Sequence, residues 1–348
     1  MKRRYYFFII GFFVLLTSAG TLLDSFEGFR KPANFPEPVY DLSKNPVTKE
    51  GFELVRKLFY DPRLSRNNTV ACGSCHIQSA AFTHHGHDIS HGMDDRLGSR
   101  NSPPVMNLAW SKAFFWDGGV FHLDLQPLVP ITAYAEMDEK MSEALEKLRK
   151  HPDYPGLYKK AFGTEEITTA RTMKALSQFM LLCISSNSKY DKVMRKEGEN
   201  FTAEEQQGYQ LFKQKCNSCH TEPLFTDQTF RNNGIAIGKN DDRGRFTITL
   251  DSNDMYKFKV PSLRNTEFTF PYMHDGRFYG LGDVLDHYRY KVQNTMNLDP
   301  LLNQNGKPGI PITDDEKAKI IAFLKTLNDR EFIKNPILSE QENLLIYY

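Results

Sequence analysis

The sequence contains the five-residue pattern Cys-x-x-Cys-His twice, at residues 72–76 and 216–220. At this spacing the two cysteines lie on one helical turn with the histidine beside them, an arrangement typical of covalent haem attachment. In an exported protein such pairs could also form disulfides or bind zinc, but the following histidine favours haem. One shared zinc site is disfavoured, because it needs four neighbouring ligands and more than a hundred residues separate the pairs. The chain therefore has to fold around two haem-binding units.

The two patterns lie in an internal repeat, which indicates two copies of one unit. The segments "GFELVRKLFYD" and "EEQQGYQLFKQ" precede them, and "AFT" and "LFT" follow. The correspondence resumes further along each half at equal spacing. Pro103, Asn107, Trp116, Asp117 and Gly118 in the first half align with Pro261, Asn265, His274, Asp275 and Gly276 in the second. Agreement over so many positions is unlikely to arise by chance.

Helical patterns close both halves, and strand-like alternation is scarce. The last helical pattern begins with Thr313 and Glu316 at capping-box spacing. A polar stretch followed by a helix-start signal at Thr202 places the domain boundary near residue 195. We predict a mainly α fold with two cytochrome c-like helical domains, residues 40–195 and 196–335, each carrying one covalently attached c-type haem.

The N-terminus is typical of an exported protein. A basic start is followed by an apolar stretch from Tyr5 to Leu16 and by the small residues Ser18 to Gly20. We predict that residues 1–23 form a cleaved signal peptide, with a retained membrane anchor as the alternative, because about 18 apolar residues can span a bilayer. In both cases the rest of the chain faces an extracytoplasmic compartment, the periplasm. With 44 Lys and Arg against 43 Asp and Glu, the net charge of +1 gives no reason to expect a nucleic-acid partner.

The two predicted irons differ in their remaining ligand position. We assign His76 and His220 as the proximal ligands, because each ends a Cys-x-x-Cys-His pattern. Equal steps from the aligned Trp116 and His274 lead to Pro130 in the first half and Tyr288 in the second. A phenolate can bind ferric iron, whereas a proline side chain cannot. The repeat thus predicts an open first iron, where an oxidant could bind, and a capped second iron that relays electrons.

A pocket beside an open iron should contain groups that transfer protons. The segment after Trp116 provides Gln126 and Glu136 in apolar surroundings. Splitting a peroxide O–O bond requires a proton to move from one oxygen to the other, which a carboxylate of raised pKa can do while an amide orients the substrate. The alternative for Glu136 is an ordinary solvated surface carboxylate.

Several motifs resemble those of the bacterial dihaem cytochrome c peroxidases. They are the two Cys-x-x-Cys-His patterns, "RNSPPVMN", "FFWDGG", the Gln126 and Glu136 pair, "FKVPSLRN" and "PYMHDGRF", and the similarity extends from about residue 45 to 330. The resemblance implies a peroxidatic N-terminal haem and a C-terminal haem that receives electrons from a small c-type cytochrome or cupredoxin. It further implies that Glu136 and Gln126 are catalytic and that Trp116 assists electron transfer between the haems.

The same resemblance implies a calcium ion between the domains. Its ligands in the family are an asparagine side chain and the carbonyls of a threonine and a proline, which correspond to Asn101, Thr269 and Pro271. Dimers are common in the family, so a second copy of the chain is a candidate partner.

The sequence departs from the conventional peroxidases at two places. Where they have a methionine ligand on the second haem, this chain has Tyr288, with Met273 nearby as the alternative ligand. A tyrosine at this position resembles the histidine and tyrosine ligation of the dihaem enzyme that matures tryptophan tryptophylquinone in methylamine dehydrogenase. In many family members a loop histidine binds the peroxidatic haem at rest. His91 is close to that place in the histidine-rich loop "THHGHDISHGM", and a solvated loop histidine is the alternative.

We predict a periplasmic peroxidase that reduces hydrogen peroxide to water. Two alternatives stay open: a dihaem oxidase that modifies a partner protein through high-valent haem, which Tyr288 favours, and a dihaem electron carrier without enzymatic activity.

Overall fold

A computed structural model describes residues 26–238, 240–304 and 306–340. The predicted signal peptide or anchor at residues 1–23 lies outside these residues. Within the described part of the chain, no helix has the length and apolar character needed to cross a membrane.

The described residues are mainly helical with very little sheet, as predicted. The α-helices are Lys49–Tyr60, Cys72–Cys75, Leu128–Thr132, Met141–Lys150, Asp153–Phe162, Thr169–Leu182, Lys189–Met194, Ala203–Lys215, Phe246–Thr249, Leu281–Asp286 and Asp314–Lys325, with a π-helical turn at His287–Lys291. The strands are Phe230–Arg231 paired antiparallel with Phe258–Lys259, and Asn303–Gln304 paired antiparallel with Lys307–Pro308. Short 3₁₀ turns connect many of these elements.

The first half is built on the packing of Lys49–Tyr60 against Asp153–Phe162 and Thr169–Leu182. Thr48 caps the first of these helices by accepting a hydrogen bond from the amide of Gly51. The helix buries one apolar face, on which Phe59 stacks on Phe179 with ring centroids 4.1 Å apart. This core supports the first Cys-x-x-Cys-His segment.

The second half is built on Ala203–Lys215 packed against Asp314–Lys325. Close approach of the two helices requires Gly208, because a Cβ there would lie 2.0 Å from the carbonyl oxygen of Lys319. Capping boxes start both helices, and the predicted pair of Thr313 and Glu316 is confirmed.

The internal repeat is confirmed by matching backbone features. Asn107 and Asn265 are both left-handed, with φ of 55° and 60°. Their side-chain oxygens accept hydrogen bonds from equivalent backbone amides, those of Ser185 and Asp329. The isolated bridge between Phe114 and Val120 likewise has its counterpart between Tyr272 and Phe278. Residues at aligned positions can therefore be compared directly.

Segments from each side of the predicted boundary pack against the other half. In the helix Lys189–Met194, Tyr190 joins the second-half core, and Asp191 forms a fully buried ion pair with Arg264. Conversely, the C-terminal segment that contains Phe332 and Leu338 packs into the first-half core. The boundary near residue 195 remains a prediction, and the two halves share extensive contacts across it.

Candidate functional site

A cavity of about 480 Å³ brings together the residues predicted for the first site. It is lined by Cys72, Cys75, His76, His91, Trp116, Gln126, Pro130 and Glu136. One cavity is therefore lined by the haem-attachment pattern, by the two predicted proton-transfer residues and by the proline that has no ligand atom.

His76 is held with one ring nitrogen bonded and the other available. It follows the helix Cys72–Cys75, and its Nδ1 lies 2.8 Å from the carbonyl oxygen of Phe82. Since a carbonyl only accepts, Nδ1 carries the proton and Nε2 keeps its lone pair for a metal. Burial lowers the pKa of His76, which favours the neutral imidazole that a metal requires.

Both cysteines of the first attachment pattern line the cavity, where thioether bonds to a haem would form. Both thiols are free, and burial raises the pKa of Cys72 to about 12 and that of Cys75 to about 11. With the neutral histidine and the cavity, they fit the requirements of a c-type haem.

Glu136 lines the cavity and is an exposed residue, as the alternative of a solvated carboxylate required. Desolvation by the protein atoms that do lie around its carboxyl raises its pKa, the direction that proton transfer near neutral pH requires. Gln126 lines the same cavity and can orient a small substrate through its amide.

Gly92 lets the histidine-rich loop pass directly behind Glu136. The amide of Met93 donates a 2.7 Å hydrogen bond to the carbonyl of Glu136. A Cβ on Gly92 would lie 2.1 Å from the carbonyl oxygen of Ala135 and 2.5 Å from that of Glu136. The identity of this glycine therefore fixes where the backbone of Glu136 lies.

We expect Gly92→Ala to push this backbone apart and to lower the free energy of unfolding by about 1–3 kcal/mol, as overpacking of a close contact does. Urea denaturation of the purified protein measures the change. Gly98→Ala is the matched control, because its Cβ would meet nothing closer than 3.6 Å. Equal stability of the two variants would contradict the steric role of Gly92.

A second cavity of about 210 Å³ brings together the predicted residues of the second half. It is lined by Cys216, Cys219, His220, Met273 and Tyr288. His220 Nδ1 lies 3.2 Å from the carbonyl oxygens of both Phe225 and Pro261, so its Nε2 is again the available nitrogen. Burial raises the pKa of Cys216 to about 12 and lowers that of His220. These features also fit a c-type haem.

Tyr288 and Met273 both line the second cavity, so both candidate ligands are near His220. Tyr288 lies in the π-helical turn His287–Lys291, a rare element that often occurs at functional sites. Burial raises its pKa to about 12. Asn233 interacts with both candidates: its Nδ2 donates a 3.5 Å hydrogen bond to the Met273 sulfur, and its hydrogen bond with Tyr288 acts to lower the pKa of that phenol. The first-half equivalents of these residues are Pro130 and Phe115, neither of which offers a ligand atom.

Trp116 lies between the two sites, since it lines both cavities. Its Nε1 donates a 2.9 Å hydrogen bond to the backbone carbonyl of Asn101. The backbone amide of Asn101 in turn donates a 2.7 Å hydrogen bond to the backbone carbonyl of His274. This hydrogen-bonded chain connects the border of the first cavity with the lining of the second.

The residues predicted to bind calcium, Asn101, Thr269 and Pro271, line the second cavity together. Asn101 is buried, and its amide nitrogen donates 3.1 Å hydrogen bonds to the carbonyls of His87 and Asp88. The side-chain oxygen is thereby the atom left for a cation. In the described residues no group of three or more His, Cys, Asp or Glu could hold a metal, but amide and carbonyl oxygens do not need such a group.

His91 lies at the edge of the first cavity and has a carboxylate partner. Its Nδ1 is 2.5 Å from Asp95 Oδ1, and its side chain is 39% exposed. His87 stacks on His84 at 4.2 Å and meets the His91 ring edge-on at 5.2 Å. Binding of His91 to the first iron remains a prediction.

Two residues in the site were not predicted from the sequence. Gly92 acts through a contact with a distant segment, which no local pattern indicates. Lys259 lines both cavities. It belongs to the segment "FKVPSLRN", one of the motifs that resemble the dihaem peroxidases, but the motif gave no indication of a role for its lysine.

The chain is similar to known proteins over most of its length. The family described as di-haem cytochrome c peroxidase matches residues 49–199. The methylamine utilization protein MauG of Methylorubrum extorquens is 36% identical over 308 residues, which are 86% of this chain and 83% of that protein. The cytochrome c551 peroxidase of Nitrosomonas europaea is 34% identical over 313 residues, covering 88% of this chain and 89% of that protein.

Solved structures show the same fold. The crystal structure of a MauG-like protein associated with microbial copper homeostasis has a TM-score of 0.79 and 33% identity, over 89% of this chain and 98% of that chain. The dihaem peroxidase BthA from Burkholderia thailandensis has a TM-score of 0.73 over 91% of this chain and 96% of that chain. Because the two sequences are only 21% identical, this similarity shows a shared fold and nothing more.

Proposed function

Because the chain belongs to the di-haem cytochrome c peroxidase family, we propose that it reduces hydrogen peroxide to water at the first of two covalently bound c-type haems. Electrons come from a small c-type cytochrome or cupredoxin in the periplasm. The observation that carries the proposal is the asymmetry of the two cavities. Pro130 takes the place in the first that Tyr288 takes in the second, so the repeat position that offers a phenol oxygen in the second cavity offers no ligand atom in the first.

The residues of the first site divide the work of peroxide reduction. When bound, the haem supplies the iron that binds peroxide and passes electrons to it. Cys72 and Cys75 attach the haem, and His76 presents Nε2 to the iron. The carboxylate of Glu136 takes a proton from one peroxide oxygen and delivers it to the other, which leaves as water. Gln126 orients the peroxide through its amide, and two electrons with two protons complete the reduction to two waters.

The residues of the second site would hold the haem that accepts electrons from the donor. Cys216 and Cys219 would attach this haem, and His220 together with Tyr288 or Met273 would bind its iron. Trp116 assists transfer to the first site, supported by its place between the cavities. We also propose that Asn101, Thr269 and Pro271 bind calcium there, supported by their common position and by the free amide oxygen of Asn101.

A second function deserves a test because of Tyr288. An oxidase that modifies a partner protein is supported by this tyrosine in the second cavity and by the similarity to a methylamine utilization protein.

The test measures oxidation of a reduced small c-type cytochrome by the purified dihaem protein with hydrogen peroxide. We expect two donor molecules to be oxidised for each peroxide consumed. We also expect Tyr288→Phe to change the ferric spectrum of the second haem, because the variant loses the phenolate ligand.

Met273→Leu is the control for the ligand, because it removes the other candidate atom with little change in volume. A spectral change in Met273→Leu and none in Tyr288→Phe would reverse the ligand assignment. Slow donor oxidation with a long-lived oxidised state would favour the oxidase. If neither haem reacts with peroxide in any redox state, the protein is an electron carrier and the proposal is wrong.

A further inference from the structure

Lys259 is held by its backbone between the two proposed haem sites. It lies in the strand Phe258–Lys259, opposite Phe230. Its amide donates a 2.7 Å hydrogen bond to the carbonyl of Trp116. Two residues later, the carbonyl of Pro261 accepts the hydrogen bond of His220 Nδ1. The position of Lys259 is thus fixed relative to both sites.

The side chain of Lys259 brings a positive charge into this region without a carboxylate partner. Its Nζ donates a 2.8 Å hydrogen bond to the carbonyl of Ala113, the one partner found for it among the described residues. An ammonium group has three donors, so two remain. Asp117, whose charge acts on Lys259, is ion-paired with Arg100.

Such an arrangement is costly for the protein alone. Lys259 is half-buried and has no carboxylate partner, and desolvation lowers its pKa to about 8. The residue lines both cavities. A negatively charged group entering either cavity would supply the missing partner.

We propose that Lys259 Nζ binds a carboxylate of a cofactor in these cavities, a propionate of the first or the second haem, and thereby raises the reduction potential of that haem. The inference rests on the proposed binding of two haems. Reduction adds one negative charge to a haem, so a fixed cation nearby favours the reduced state. The lysine acts as a positioning and electrostatic residue and takes no part in the chemistry of peroxide.

The test is a spectroelectrochemical titration of both haems in the purified holoprotein. We expect Lys259→Met to lower the reduction equilibrium constant of the paired haem by about tenfold, which is about 59 mV for a one-electron couple. The haem whose potential falls identifies the source of the carboxylate. Lys259→Arg keeps the charge, so we expect it to keep the reduction equilibrium constant of that haem within about threefold of the native value.

Lys112→Met is the matched control, because Lys112 is adjacent to Ala113 but its side chain is exposed. It should leave both potentials unchanged. If the Lys259→Met variant fails to bind haem, Lys259→Gln gives the same comparison with a side chain that donates hydrogen bonds without charge.

The inference is wrong if neither potential falls in a haem-loaded uncharged variant, or if Lys259→Arg lowers it as much as Lys259→Met. The potentials can be measured in an electron carrier as well as in a peroxidase. Failure of the proposed function, seen as absent peroxide turnover, is therefore distinguishable from failure of this inference.

Discussion

Replacement of Glu136 by glutamine is expected to lower kcat for peroxide reduction by about 10²–10⁴-fold, the usual contribution of a positioned acid–base group. The amide keeps the size of the side chain and its place at the first cavity, but it cannot accept and return a proton. Steady-state oxidation of a reduced small c-type cytochrome measures the loss. The optical spectra of both haems should stay unchanged, because Glu136 is not a proposed ligand.

Glu143→Gln is the matched control, since Glu143 lies on the exposed surface of the helix Met141–Lys150. It should leave kcat unchanged. Full activity of Glu136→Gln with both haems bound would remove Glu136 from the mechanism.

The pH dependence follows from the same carboxyl. Glu136 must be deprotonated to accept a proton from peroxide, so kcat/KM should rise as pH increases through its pKa. Because desolvation raises this pKa, the rise should lie above the ordinary glutamate value of about 4.3. The residual activity of Glu136→Gln should not show this rise of kcat/KM with pH.

Arg264→Met is expected to lower the free energy of unfolding by about 3–5 kcal/mol, because it leaves the carboxylate of Asp191 buried without its charged partner. The two side chains are fully buried and joined by two 2.8 Å hydrogen bonds. Arg264 also contacts the ring of Phe225, whose carbonyl accepts a hydrogen bond from His220. Urea denaturation of the holoprotein measures the loss.

Two variants test whether charge burial is the cause. In Asp191→Leu/Arg264→Met the unpaired charge is gone, so part of the stability should return. Arg30→Met breaks an exposed pair with Glu27 and should cost less than about 1 kcal/mol. An Arg264→Met protein as stable as Arg30→Met would contradict the proposed role of the pair.

The pair also has a predictable dependence on pH. Burial alone would raise the pKa of Asp191, but the hydrogen bonds and charge of Arg264 outweigh it and lower the pKa. A carboxyl with a lowered folded-state pKa stabilises the fold above its unfolded value of about 3.9. Its contribution is lost as the pH falls from there through the folded-state pKa, so the native protein should approach the stability of Arg264→Met in acid.

Local spacing and the repeat predicted much of the candidate site. The cysteines and histidines could be recognised because a Cys-x-x-Cys-His pattern depends on neighbouring residues alone. Counting along the repeat brought Tyr288 to the second cavity and Pro130 to the first, as the structure shows. The helical content followed from periodicity.

Contacts between distant segments could not be predicted in this way. Gly92 matters because another part of the chain passes behind it, and Lys259 because the fold places it between two cavities. The C-terminal segment contains no recognisable motif, yet the amide nitrogen of Gln78 donates hydrogen bonds to the carbonyls of Phe332 and Asn335. Such pairings depend on three-dimensional packing, which leaves no periodic signal in the sequence.

The return of the C-terminal segment to the first half has a consequence for biosynthesis. Phe332 packs against Phe82, whose carbonyl holds the ring of His76. A chain made from its N-terminus therefore cannot complete the support of its first histidine until Phe332 has been synthesised. A stop codon before Phe332 would remove packing beside the site that is encoded first, so the order of maturation of the two sites need not follow their order in the gene.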